Sequence, residues 1–134
     1  VVTAAELTSL YMAVHPQYQG QGNWIMNGTT IAEISILEDT NGNRIVQPNM
    51  QQGMFNLWGR PIANEPLMPN TATGLKPIVF ADLASGYVIG EELGLSVLMD
   101  PYTQAVTGET KMYMYKQVDG RVKVPAAVKY ITML

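Results

Sequence analysis

The 134-residue sequence contains no cysteine, one histidine and few charges. Without cysteine there can be no disulfide framework, thiolate nucleophile or cysteine-based zinc site. A lone imidazole, His15, cannot build a protein-only histidine metal centre. Charged residues make up 14%, against about 25% in ordinary globular chains. No apolar run is long enough to cross a bilayer, and the N-terminal stretch has no basic-then-apolar leader pattern. Glycine-rich phosphate loops of the Walker or dinucleotide type are missing too.

What is present is an apolar content of 47%, enough for a true core, on a chain the size of one domain. Eleven acidic and eight basic residues leave a net charge of −3, a balance that does not attract polyanions. Nine Met, seven Tyr and two Trp on so weakly charged a chain imply surface covered by neighbours. The opening Val-Val, without Met, reads as an excised piece of a longer protein rather than a processed product.

Thr3 to His15 reads as a helix: Thr3 and Glu6 have capping-box spacing, and Leu7, Leu10, Tyr11 and Val14 recur on one side. In an excised piece it would be the last part of a longer helix. Pro16 ends it, and Gln17–Asn23 reads as a polar loop. Trp24-Ile25-Met26 is a buried strand, and Asn27 or Thr30 caps a helix running to about Leu37. Glu38–Asn43 is an Asn-Gly turn whose oxygens do not follow the EF-hand spacing. Pro48–Asn56 has little periodicity, with Met50, Met54 and Phe55 as anchors. In Leu57–Pro69, Gly59 frees the backbone while Pro61 fixes it and biases Arg60 toward extension. Trp58, Gly59 and Pro61 therefore read as a hinge between packed units.

Beyond the hinge the chain reads almost wholly as strands: Pro77–Ala81, Tyr87–Ile89, Leu95–Met99, Thr110–Val118, Arg121–Val124 and Val128–Leu134. Asp82–Gly86 is one helical turn or a tight turn, and Tyr102–Glu109 is the most exposed loop. Asp119-Gly120 is the strongest two-residue hairpin signal, turning Thr110–Val118 back into Arg121–Val124. The fold class is α+β with mostly antiparallel pairing and a few helices.

Candidate chemistry is sparse. Glu91, Glu92 and Asp100 could supply a carboxylate pair for glycoside hydrolysis, but adjacent glutamates at a Gly-flanked corner fit a solvated turn. Asp82 fits a helix-turn cap better than a catalytic acid. Ser85 and Ser96 lack a nucleophile elbow. Trp24, Trp58, Tyr113 and Tyr115 could stack bases or sugars, yet no basic cluster accompanies them, and core or interface packing explains them more simply. No cofactor, metal or membrane is expected.

A set of motifs runs in order from Trp24 to Ala127. They are Trp24-Ile25-Met26-Asn27, Asp39-Thr40-Asn41-Gly42, Leu57-Trp58-Gly59-Arg60-Pro61-Ile62 and Met68-Pro69, then Ile78-Val79-Phe80-Ala81-Asp82, Tyr87-Val88-Ile89 and Val118–Ala127. In this the chain resembles the C-terminal portion of a phage major capsid protein of the HK97 fold. Two positions depart mildly from the family pattern, Ala81 where Gly is usual and Val128 where an aromatic is common.

The resemblance implies a structural subunit, not an enzyme, that assembles with its own copies into pentamers and hexamers of an icosahedral shell around DNA. Its place would be the virion, after assembly in a bacterial cytoplasm, from a phage or prophage gene. It implies a boundary helix and loop over 1–22, an axial domain over 23–100, and peripheral-domain strands with a C-terminal return over 101–134. The clasping arm and extended loop would lie upstream of Val1, so the piece alone is expected to be monomeric. Some family members crosslink through a Lys–Asn isopeptide bond. The asparagine would fall near Gly108, where this chain has Gly-Glu-Thr, so no covalent link is expected here. Arg60, Glu65 and Arg121 are candidates for ion pairs between subunits. A tail or other virion module and a carbohydrate-active enzyme are the alternatives.

Overall fold

A computed structural model describes residues 2–39, 41–49 and 54–134. Thr40 and Met50, part of the turn and anchor readings above, lie outside them. The chain divides into two compact units, Val1–Tyr87 with Val122–Leu134, and Val88–Arg121.

The first unit opens with α1 (Ala4–Ala13), whose capping box is complete. The Thr3 hydroxyl accepts from the Glu6 N–H at 3.3 Å, and the Glu6 carboxylate accepts from the Thr3 N–H at 2.8 Å. Thr3 itself is extended and serves as the N-cap of α1. The segment read as a polar loop begins instead with α2 (Pro16–Gln19), with Pro16 at its first position and the His15 ring accepting from the Gln17 N–H. Proline that ends one helix is equally suited to start the next. Gln19 then donates to the carbonyls of Tyr11 and Val14 at 3.1 and 2.9 Å, satisfying acceptors that the end of α1 leaves open.

Strand β1 (Asn23–Met26) leads to α3 (Gly28–Ser35), capped by Asn27. After the 39–43 turn, closed by the Asp39 N–H on the Asn43 carbonyl at 2.7 Å, come β2 (Val46–Asn49), β3 (Met54–Leu57) and β4 (Arg60–Asn64). Then follow β5 (Ile78–Ala81), α4 (Leu83–Gly86) and, after the excursion into the second unit, a 3-10 turn at Pro125–Ala127 and β10 (Val128–Ile131). One sheet results, in the order β10-β5-β1-β4-β3-β2. Pairing is antiparallel except between β1 and β4. The fold is α+β, as expected. Trp24, Met26, Leu57, Ile62, Ile78 and Phe80 from the sheet meet Leu7, Leu10 and Val14 from the first helical segment and Ile31 and Ile34 from α3 in one core.

The stretch read as a hinge is a hairpin turn inside this sheet. Leu57 pairs with Arg60, so Trp58 and Gly59 are a two-residue loop, with φ of 49° and 74°. Left-handed angles at both central positions match the strand twist. The freedom of Gly59 serves that turn, and the chain stays in the same unit. Pro61 is tolerated because the pair it makes with Asn56 follows the closing pair of the hairpin. Its missing N–H therefore faces β1, where the parallel register begins only at Ile62.

The second unit is built from β6 (Tyr87–Glu91) with β9 (Val118–Val122), and β7 (Ser96–Asp100) with β8 (Lys111–Tyr115). Asp119-Gly120 is thus not a hairpin turn. Both lie inside β9, with no left-handed φ at either, and pairing with a strand far back in sequence outweighs the local turn signal. The lobe boundaries expected at 22/23 and 100/101 do not coincide with the division between the two compact units.

Candidate interaction surface

The β7–β8 ribbon carries the largest set of apolar side chains left in water. Its register pairs Ser96 with Tyr115, Val97 with Met114, Leu98 with Tyr113, Met99 with Met112 and Asp100 with Lys111. Because side chains alternate along a strand, the pairs sort onto two faces. One holds Val97, Met99, Met112 and Met114 and nothing polar. The other holds Leu98, Tyr113 and Tyr115, bordered by Ser96 and by the Asp100–Lys111 pair. Both stay exposed, with Met114 at 61% and Tyr115 at 55% of their surface. Half-exposure forgoes about 1 kcal/mol of burial for each such side chain. A two-stranded ribbon with no further layer is marginal in water.

The ribbon ends in a loop shaped by Asp100. The Asp100 carboxylate accepts from the N–H groups of Tyr102 and Thr103 at 2.9 and 3.1 Å and from the Thr103 hydroxyl. These bonds, the Thr103 hydroxyl first, hold its pKa below the ordinary aspartate range. Asp100 is thereby committed to shaping the loop. Glu91 is bonded to Lys116. Glu91 and Glu92 share an open notch with Lys116, Gln117 and Asp119, which Asp100 does not line. The three carboxylates weighed for glycoside hydrolysis are therefore not gathered in one cleft. Asp82 is buried and accepts from the N–H groups of Ala84 and Ser85 at 3.2 and 3.4 Å, a helix cap. Among the described residues, no three His, Asp or Glu side chains group to hold a metal ion.

The three residues proposed for ion pairs between subunits lie apart. Arg60, half-buried at the start of β4, donates to the Gly20 carbonyl. Glu65 accepts from the Leu67 N–H at 3.2 Å, shaping the turn after β4. Arg121 projects into solvent, its side chain 85% exposed and 3.6 Å from Asp119. Of the three, Arg121 is the one whose charge faces outward with only an exposed neighbour. Trp58 is 41% exposed, and its ring meets Tyr11 and Trp24 at 6.1 and 5.9 Å between centroids. The two-faced ribbon arises because β8 pairs with β7 and not with Arg121–Val124 as expected. Its signal in the sequence is the Met-Tyr alternation of 111–115.

Comparison with known proteins bears on what such a surface is for. Two solved structures are similar to nearly the whole chain. They are the capsid of an empty GTA particle and the capsid of a native GTA particle, both computed with C5 symmetry. Identity is 26% and 25%, with a TM-score of 0.75 for each. The match covers 98% of this chain but 45% and 44% of theirs, so the chain spans under half the length of those capsid proteins. Among curated proteins none matches. The model of the Phage capsid family matches residues 1–133. The chain belongs to the phage capsid family.

Proposed function

We propose that this chain is the C-terminal portion of a shell-forming subunit, working by self-assembly into pentamers and hexamers of a closed capsid that encloses DNA. The single observation that carries the reading is the ribbon: its Leu98, Tyr113 and Tyr115 side chains stand exposed together on one face, a patch that suits contact with a neighbour. Family membership and the likeness to capsids computed with C5 symmetry support it. A structural role accounts for the carboxylates too, each of those weighed for hydrolysis standing at a turn or a strand end.

In this reading the six-stranded unit is the axial lobe, and Val88–Arg121 belongs to the peripheral lobe, a boundary moved back from residue 100 to the Tyr87–Val88 junction. Arg121, exposed beside Asp119, is the better candidate for an ion pair across a subunit contact, while Arg60 and Glu65 serve their own loops. A net charge of −3 disfavours close contact between this portion and packaged DNA. Sedimentation velocity of the full-length gene product tests the proposal. Fast-sedimenting particles of uniform size are expected, and a monomer under every assembly condition would overturn it.

A further inference from the structure

The two faces of the β7–β8 ribbon differ in a way that assigns them different partners. We propose that the face bearing Leu98, Tyr113 and Tyr115 is a contact between copies of this chain, whereas the Val97–Met99–Met112–Met114 face is covered within the subunit. The inference rests on the capsid reading and adds which surface does the assembling. A shell subunit must fold and stay in solution before it meets its neighbours. A face of valine and methionine alone offers water nothing to bond, and waiting in solvent would invite collapse or aggregation. The opposite face carries two phenol hydroxyls, the Ser96 hydroxyl and a cross-strand Asp100–Lys111 pair, so it can stay hydrated and later be desolvated. Tyrosine is enriched at protein contacts for this reason, being apolar in body and polar at its tip.

Chain length supports the division of labour. The capsid proteins this chain resembles are more than twice as long, so a subunit of that size has ample chain to cover one face. The other is left for a second copy, which a shell supplies everywhere. The opposite charges of Asp100 and Lys111, cross-strand neighbours at the border, would also keep register, since a shifted partner would desolvate them without a compensating charge.

Single cysteines placed in the full-length subunit test the assignment, because this segment has none of its own. Tyr113→Cys and Met112→Cys sit next to each other on β8 and point to opposite faces. Maleimide labelling is compared before and after shell formation. The expected result is at least tenfold slower labelling at 113 in shells than in free subunits, with slow labelling at 112 in both. Fast labelling at 112 in free subunits, unchanged labelling at 113, or protection of 113 before assembly would each overturn the assignment. Tyr113→Thr with Tyr115→Thr supplies a second readout: unchanged melting of the free subunit and loss of shells are expected. An unfolded double variant would place the tyrosine face inside the subunit and refute the proposal. Wild-type subunits that form no shells would instead sink the capsid reading itself.

Discussion

Replacing Gly22 by alanine would drive a methyl group into the centre of the core. A Cβ at this position falls 2.5 Å from Cζ and 2.8 Å from Cε1 of Phe80. Phe80 has no room to retreat. It is fully buried, with Trp24 at 4.7 Å and Tyr11 at 5.1 Å between ring centroids. Overfilling a packed core costs about 1–3 kcal/mol. The stiffer unfolded chain of the alanine variant returns roughly 0.4–1 kcal/mol. A net loss of about 1–2 kcal/mol follows, and for a domain of this size each kcal/mol lowers the melting temperature by roughly 3–5 °C. Gly20→Ala is the control, since a Cβ there meets nothing within 4 Å. Thermal unfolding of the unassembled subunit should therefore separate the two variants. Adding Phe80→Leu to Gly22→Ala should recover part of the loss, a coupling read in a double-mutant cycle. Equal melting of the Gly20 and Gly22 variants, or strictly additive losses in the cycle, would refute the packing argument.

Thr3→Ala removes the capping hydroxyl of α1 and should destabilise the subunit by about 1 kcal/mol in denaturant titration. Glu6, whose pKa is lowered first by the Thr3 backbone N–H and then by its hydroxyl, should titrate closer to an ordinary glutamate in the same variant. Gly59→Ala places a side chain at φ 74° in open space, so strain alone acts and a loss of about 1 kcal/mol is expected by chemical unfolding. Asp100 is depressed by Thr103, Tyr102 and Lys111, so its contribution to loop order is present above its unfolded pKa and lost as pH falls through the folded value. NMR titration of Thr103→Val should move that pKa up, and an unmoved pKa would remove the hydroxyl from the explanation.

Local chemistry was legible in the sequence wherever neighbours along the chain settle the conformation. Thr3 and Glu6 announce their capping box, Asn27 its helix, and Asp82 its turn, because donor and acceptor lie within three residues. Trp24–Met26 and Ile78–Ala81 announce themselves as buried strands by composition. Strand partners were not legible. Asp119-Gly120 has the composition of a hairpin turn, but β9 pairs with β6 and β8 with β7, a choice made by contacts far apart in sequence. Trp58-Gly59 shows the limit from the other side: left-handed freedom was evident, yet a hinge and a hairpin both need it. The interaction surface depends on register, since only the pairing of Val97 with Met114 and Leu98 with Tyr113 reveals that the ribbon has two chemically distinct faces. Arg60 and Glu65 read as candidates for ion pairs between subunits, and nothing in the sequence foretells their bonds to Gly20 and Leu67.

Whether these residues meet copies of themselves is tested most directly by electron cryo-microscopy of the full-length gene product. Closed shells are expected, in whose map the six-stranded unit and the β7–β8 ribbon can both be traced, with Tyr113 and Tyr115 against a neighbouring copy. Dispersed single subunits, or shells in which that face points into solvent, would contradict it.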